Sequence, residues 1–175
     1  MTSTPLTSGI RDNYQRGNVG EFLKEKIQLG SAVSIVSAYF TIYAYAKLQD
    51  SLDGIEHLRF LFGEPRFVRG LDPGKTDTKA YRLEDNGLKL TNRLEQSATA
   101  RACADWIREK VEIRSIRQAN LLHGKMYHIA NGGVEDAILG SSNFTLSGLG
   151  LADANNNIEL NLVVDGRRDR EDLRA

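Results

Sequence analysis

A histidine and a lysine separated by one residue form the most reactive pair in this sequence. His123 and Lys125 flank Gly124 within the apolar stretch 121–130. If this stretch is a β-strand, its side chains alternate between faces, so the imidazole and the ammonium lie on the same side and Gly124 lets a ligand approach the backbone closely. An imidazole can attack a phosphodiester and form a covalent intermediate, while an ammonium neutralises the non-bridging oxygens. The pair therefore predicts a phosphate-handling site.

Polar residues in two later segments extend this pattern. Ser141 and Asn143 follow a turn and offer hydrogen-bond donors. Glu159 lies in the final predicted strand, where a carboxylate can hold an imidazole in one tautomer. Ser141 and Asn143 are also common turn residues, so without the neighbouring His-x-Lys pair the two interpretations are about equally weighted.

Together these segments resemble the phospholipase D superfamily, in its single His-x-Lys nuclease branch. The resemblance rests on the order and spacing of His123-x-Lys125, Gly140-Ser141-x-Asn143 and Glu159. More narrowly, residues 140–149 followed by 157–161 resemble the phospholipase D-like N-terminal domain of bacterial SNF2/DEAD-type helicases and of restriction-like defence proteins. The segments 16–18 and 37–40 fit that branch as well.

The resemblance implies a metal-independent phosphodiesterase, an endonuclease acting on DNA or another nucleic acid. A chain with one His-x-Lys pair is expected to work as a homodimer, with His123 as nucleophile in one subunit and general acid in the other. Lys125 and Asn143 bind the phosphate, Ser141 assists, and Glu159 orients the imidazole. No cofactor and no metal are expected, because Lys125 and its symmetry mate supply the charge. A helicase or ATPase domain C-terminal to this segment is a further expected partner.

One departure from the family pattern leaves an alternative open. The family usually has an Asp five residues after the lysine, where this sequence has Ala130, and Asp136 is the nearest acid beyond it. The alternative is a non-catalytic DNA-binding accessory module of a helicase or restriction-type protein. A lipid phosphodiesterase draws only on the superfamily name and lacks any amphipathic or membrane-anchoring stretch.

Candidate nucleic-acid contacts lie on both sides of the central motif. Tyr127 shares the face of Lys125 and could stack on a base or sugar, although a buried tyrosine with a bonded hydroxyl is the commoner outcome. Residues 64–90 show little periodicity, which is typical of a functional or disordered insertion. Within them, Arg66, Arg69 and Lys75 are possible DNA contacts, the alternative being a solvated loop.

Composition favours a single cytoplasmic domain without membrane segments. The 175 residues carry 23 basic and 23 acidic side chains, so any nucleic-acid surface must be local. One cysteine, Cys103, excludes an intrachain disulfide and fits a reducing compartment. We expect a flexible N-terminus over residues 1–12, a phospholipase D-like domain over 13–166, and a charged tail or linker over 167–175.

The predicted fold is α/β, with a mixed, mostly buried central sheet flanked by helices. Apolar periodicity predicts helices over 19–29, with Asn18 as N-cap, and over 43–52, 93–110 and 144–149. Strands are predicted over 32–40, buried on both faces, and over 57–63, 111–116, 121–130, 137–140 and 158–164. In the last strand, Ile158, Leu160, Leu162 and Val164 are expected to enter the core, with Glu159 on the opposite face. Tyr39, Phe40 and Trp106 are also assigned to the core.

Overall fold

The computed structural model describes residues 9–63, 93–116 and 122–164, together with the single positions Asp169, Glu171 and Leu173. Within these residues the chain forms seven strands and four helices. The strands are β1 (Ile10–Arg11), β2 (Ala32–Ser37), β3 (His57–Phe62), β4 (Val111–Ser115), β5 (Lys125–Asn131), β6 (Val134–Gly140) and β7 (Asn161–Val164). The helices are α1 (Val19–Lys26), α2 (Ile42–Leu52), α3 (Arg93–Lys110) and α4 (Leu146–Leu149). The predicted α/β class is confirmed.

The strands form one mixed sheet in the order β1-β7-β6-β5-β2-β3-β4. β2, β3 and β4 run parallel to one another, and every other neighbouring pair is antiparallel. A parallel pair requires a crossover connection, which α2 supplies between β2 and β3. The short turn at Gly132 and Gly133, both with positive φ, joins the antiparallel strands β5 and β6.

Side chains on one face of the sheet pack against the helices and form the core. The sheet contributes Val33, Ile35, Leu58, Phe60, Tyr127, Ile129 and Ile138. All four helices contribute to the same cluster, through Phe22, Leu23, Tyr45, Leu48, Leu52, Cys103, Trp106 and Leu149 among others. The prediction for Trp106 is confirmed, because its indole N–H donates to the Leu52 carbonyl at 3.1 Å and its ring lies 4.9 Å from that of Tyr45.

The opposite face of the sheet is less covered than the sequence suggested. In β2 the residues alternate, with Val33 and Ile35 buried but Val36 only half-buried. The expectation that this strand is buried on both faces is therefore wrong. On the same outer face Leu139 is 42% exposed and Leu162 is 56% exposed. The four helices among the described residues contribute to the core on the inner face.

Helix N-caps follow the sequence closely. Asn18 caps α1 by accepting the Glu21 N–H at 2.7 Å, as predicted. Thr41 caps α2 by accepting the Ala44 N–H at 3.3 Å. The bounds of α3 match the predicted helix. None of the helices among the described residues is long and apolar enough to cross a bilayer.

In the last strand, the aliphatic residues that were predicted to face the core are exposed, and a polar residue is buried instead. Ile158, Leu160 and Leu162 are 80%, 69% and 56% exposed, whereas Asn161 is 3% exposed. Asn161 is held inward because its amide donates to the Ser142 hydroxyl at 3.0 Å and to the Arg11 carbonyl at 3.2 Å. β7 begins only at Asn161, so residues 158–160 precede the strand, and Ile158, Leu160 and Leu162, which were expected in the core, are exposed.

Several other sequence predictions differ from the structure. The helix predicted over 19–29 ends at Lys26, the strand predicted over 32–40 ends at Ser37, and the strand predicted over 121–130 spans Lys125–Asn131. Ile10 and Arg11, placed in a flexible N-terminus, pair with β7 as β1. Tyr39 is 51% exposed and does not belong to the core, although the adjacent Phe40 stacks on Phe144 at 5.0 Å between ring centroids. The predictions for residues 1–8, for the insertion 64–90 and for most of the charged tail 167–175 lie outside the described residues.

Candidate active site at one edge of the sheet

The ends of five strands bring the predicted site residues to one edge of the sheet. Lys125 begins β5 and pairs with Gly140 at the end of β6, which in turn pairs with Asn161 at the start of β7. On the other side, Ser37 at the end of β2 pairs with Phe62 at the end of β3. Because β5 and β2 are neighbours, Ser37 and Lys125 lie at the same edge. We call this the site edge.

The segment that carries His123 crosses the end of β2. The Leu122 N–H donates to the Gly63 carbonyl at 3.0 Å, and the Gly63 N–H donates to the Ser37 carbonyl at 3.3 Å. Three residues later the chain enters β5 at Lys125, on the other side of β2. A side chain at Gly63 would place its Cβ within 2.1 Å of the Leu122 carbonyl oxygen, so only glycine allows this approach.

His123 precedes β5 and does not belong to it. The expectation that alternation within a strand aligns the imidazole with the ammonium is therefore wrong, because pairing with β2 and β6 begins no earlier than Lys125. His123 is exposed, and its ring makes no hydrogen bond or ion pair with any described residue. The imidazole is thus accessible to a ligand at the site edge.

Lys125 is tied to the backbone of His123. The residue is only 4% exposed, and its ammonium donates to the His123 carbonyl at 2.9 Å. A buried ammonium requires such a partner, since losing water costs several kcal/mol unless it is compensated. The charge is therefore held beside the backbone of His123, and the predicted proximity of the ammonium to the imidazole ring stays a prediction.

Asn143 is fixed through its side-chain oxygen. The side-chain oxygen accepts the Ala38 N–H at 3.2 Å and lies 3.2 Å from the Ser37 hydroxyl. A backbone N–H can only donate, so the amide orientation is fixed with oxygen toward β2. Among the described residues the amide NH₂ has no acceptor, which leaves two donors available at the site edge.

The side chain of Ser37 holds this arrangement in place. No role at the site was predicted for it from the sequence. It is fully buried, donates to the Tyr39 carbonyl at 2.8 Å, and accepts the Phe144 N–H at 3.0 Å. The hydroxyl thus joins the end of β2 to the turn that carries Asn143. A serine that ends an apolar strand was the available signal, but its partner 106 residues later could not be read from the sequence.

Ser141 and Glu159 form a second cluster at the same edge. The Ser141 hydroxyl donates to one carboxylate oxygen of Glu159 and accepts the Leu160 N–H at 3.0 Å. The other carboxylate oxygen accepts from the Asn157 amide at 3.0 Å. Among the described residues Glu159 makes no hydrogen bond to His123, so its predicted role in orienting the imidazole stays a prediction.

Tyr127 supports the turn and does not offer its ring to a ligand. It is 1% exposed, and its hydroxyl donates to the Ser142 carbonyl at 2.9 Å. Burial, followed by the Glu159 carboxylate, raises the pKa of Tyr127 well above its ordinary value. The predicted nucleic-acid contact by Tyr127 is therefore wrong, because the core encloses the ring. The other predicted contacts, Arg66, Arg69 and Lys75, lie outside the described residues.

Comparison with known proteins adds no family. No protein-family model and no curated protein matches this chain. The functional interpretation of the candidate site therefore rests on its geometry and its chemistry.

The residues that replace the expected Asp lie away from the site edge. Ala130 pairs with Ala32 and Glu135, toward the opposite end of β5. Asp136 forms an ion pair with Lys26 at 3.5 Å. Neither position brings a carboxylate to His123.

A buried pair was not anticipated from the sequence. His128 lies on the outer face, on the side of β5 opposite to Lys125, and its Nε2 is 2.5 Å from the Glu135 carboxylate. Both residues are buried. In the part of the chain that the structure describes, no three His, Cys, Asp or Glu side chains gather in a way that could hold a metal ion.

Proposed function

We propose that this protein is a metal-independent phosphodiesterase that cleaves DNA through a phosphohistidine on His123, with an active site formed across a homodimer. The observation that carries the proposal is the setting of the exposed imidazole. Lys125, whose buried ammonium bonds to the His123 carbonyl, and Asn143, whose amide NH₂ has no acceptor among the described residues, lie at the same edge of the sheet as this imidazole. These groups match a nucleophile and two sets of donors for phosphate oxygens.

The proposed reaction has two displacements. In the first, an imidazole nitrogen of His123 forms a bond to phosphorus, the bond to the leaving oxygen breaks, and a second imidazole gives that oxygen a proton. In the second, water loses a proton to the same second imidazole and attacks phosphorus, which releases His123. Lys125 and Asn143 neutralise and bind the non-bridging oxygens in both steps. Lys125 supplies the charge in this scheme, so no divalent ion is required.

The second imidazole must come from another copy of the chain. The sequence has three histidines, and the other two are His57 and His128. His57 begins β3, at the end of the strand remote from the site edge. His128 is buried on the outer face with Glu135. Neither reaches the phosphate bound by His123, so a homodimer supplies the general acid.

An apolar row on the outer face is the surface that we propose for this dimer. Met126, Leu139, Leu162 and Ile10 are direct partners in successive strands. Side chains paired in this way share a face and lie about 5 Å apart. We call these four residues the outer row. The outer row lies one position inside the site edge. Leu160, which is also exposed, directly precedes β7 at that edge.

Cleavage in the presence of a chelator tests the proposal. Purified protein is incubated with labelled single- and double-stranded DNA in excess EDTA, and its oligomeric mass is measured in the same buffer. Wild type cleaves as a dimer, and His123→Ala remains folded and dimeric but does not cleave. His57→Ala is the matched control, and it retains cleavage. Activity retained by His123→Ala in a clean preparation would contradict the assignment.

A non-catalytic DNA-binding accessory module is the second candidate. One observation favours it, namely that Glu159 is bonded to Ser141 and Asn157 in the single chain instead of to His123. Under this alternative, DNA binding weakens with salt, survives His123→Ala, and is accompanied by no hydrolysis.

A further inference from the structure

Tyr39 is a large aromatic side chain that the fold leaves uncovered. It is 51% exposed, whereas the next residue, Phe40, packs between Phe60 and Phe144. Among the described residues its hydroxyl has no hydrogen-bond partner. The ring therefore has no evident role in packing or in the internal hydrogen bonding of the described residues.

The backbone of Tyr39 is fixed by the side chain that also supports Asn143. The buried hydroxyl of Ser37 donates to the Tyr39 carbonyl at 2.8 Å and accepts its N–H at 3.3 Å. The same hydroxyl lies 3.2 Å from the Asn143 side-chain oxygen. The Ser37 hydroxyl thus contacts both the backbone of Tyr39 and the side chain of Asn143, the candidate phosphate donor. Groups that are held in place before binding lower the entropic cost of binding a ligand.

Tyr39 also lies at the site edge, where the segment that carries His123 crosses the end of β2. Residues 122–125 pass over the end of β2, from the side of β3 to the side of β5. Tyr39 is two residues beyond the last residue of β2. Leu122, which is 39% exposed, adds a second apolar side chain at this point of the site edge. An exposed aromatic ring and an aliphatic side chain therefore lie at the same edge of the sheet as His123.

We propose that Tyr39 stacks on a nucleobase next to the phosphate held at His123, and that the substrate is single-stranded nucleic acid. This inference rests on the proposed function, because it places the phosphate at His123. Base stacking on aromatic side chains is tolerant of sequence and needs an unstacked base. A duplex keeps its bases paired and stacked, so the Tyr39 ring favours a single strand.

Binding measurements on a cleavage-deficient protein test this inference independently of catalysis. The His123→Ala protein is combined with Tyr39→Ala, with Tyr39→Phe, or with Tyr14→Ala. Tyr14 is the matched control because it is 73% exposed and lies near β1, with β7, β6 and β5 between β1 and β2. Affinity is measured by fluorescence anisotropy at one low salt concentration, for an oligothymidine strand and for an abasic strand of equal length.

Tyr39→Ala weakens binding to oligothymidine by between about fivefold and a hundredfold and leaves binding to the abasic strand unchanged. Tyr39→Phe and Tyr14→Ala keep the affinity of the parent protein. Unchanged binding of oligothymidine by Tyr39→Ala, an equal loss for both strands, or no binding of either strand by the parent overturns the inference. Cleavage of the abasic strand by wild type in EDTA reports on the proposed function alone, so the two failures are distinguishable.

Discussion

The ammonium of Lys125 donates a 2.9 Å hydrogen bond to the carbonyl oxygen of His123. The two residues are thus joined through the backbone and not by alternation along a strand. The bond fixes the charge beside the backbone of His123 and also holds the start of β5. Loss of the lysine is therefore expected to affect both the chemistry and the position of His123.

Lys125→Met tests the charge while keeping most of the apolar stem. We expect cleavage to fall about 10²- to 10³-fold, the cost typical of losing one donor to developing charge. Glu135→Gln, which alters a buried charge on the other face, serves as a control for indirect structural effects. Single-turnover cleavage and thermal unfolding are measured for each variant. A Lys125→Met protein that cleaves at the wild-type rate contradicts the phosphate-binding role.

Gly63→Ala tests how closely the His123 segment must approach β3. An added Cβ meets the Leu122 carbonyl oxygen at 2.1 Å, so the segment must shift. We expect a loss of about 1–3 kcal/mol in the free energy of unfolding. Gly124→Ala is the matched control, since its added Cβ has no atom within 4 Å and we expect a change within about 0.5 kcal/mol. Chemical denaturation of both variants provides the comparison, and equal stabilities would refute the packing argument.

Glu159→Gln tests the predicted orientation of the imidazole. The glutamine keeps the size of the side chain but removes its charge, so it can no longer stabilise an imidazolium. We expect a lower kcat and an altered dependence of kcat on pH, with little change in KM. Asn157→Ala is the control because it removes only the 3.0 Å bond to the other carboxylate oxygen. A pH profile identical to that of wild type argues for a purely structural role of Glu159 with Ser141.

Leu162→Asp tests the outer row as the dimer surface. A charge at this 56% exposed position should separate the subunits without disturbing the core. We expect a monomer that lacks His123-dependent cleavage. Val134→Asp is the control, since Val134 is 62% exposed near the β5–β6 turn, at the end of β6 remote from the site edge. Light scattering gives the mass, and a dimeric Leu162→Asp protein would place the interface elsewhere.

Alkaline stability depends on buried tyrosines of the core. Burial raises the pKa of Tyr45 from 10.0 to about 12, and the Asp53 carboxylate, which accepts a hydrogen bond from the Tyr45 hydroxyl, adds to this shift. Above pH 10 the unfolded chain ionises this group while the folded protein keeps its proton, so stability falls as the pH rises toward 12. Tyr45→Phe should show a shallower decline across this window in denaturation experiments. The exposed Tyr14→Phe is the control, and identical slopes for wild type and Tyr45→Phe would contradict the assignment.

The sequence was sufficient to predict elements whose periodicity and packing agree. The bounds of α3 and the N-cap at Asn18 were both found, because helical spacing and capping are local properties. The last strand was predicted in the wrong phase, because Leu160 and Leu162 suggested a buried face. That strand instead buries Asn161, through hydrogen bonds to residues far away in the chain.

The candidate site was predictable in its residue types but not in its geometry. His123 and Lys125 were selected by spacing, yet the strand that was meant to align them starts two residues after His123. Segment 37–40 was noted only as part of the resemblance, so no role at the site was predicted for Ser37, and Tyr39 was assigned to the core. The contacts of Ser37 with the Asn143 turn cross more than 100 residues, which no local pattern reveals.

Detection of a covalent adduct on His123 is the most direct test of the proposed chemistry. Wild-type protein is mixed with labelled DNA in EDTA, quenched during the reaction, and digested for peptide mass measurement. We predict that the peptide carrying His123 gains the mass of a nucleotide fragment, and that His123→Ala neither forms an adduct nor cleaves. Cleavage of the same DNA by His123→Ala at the wild-type rate, with no adduct on the wild-type peptide, would contradict the account.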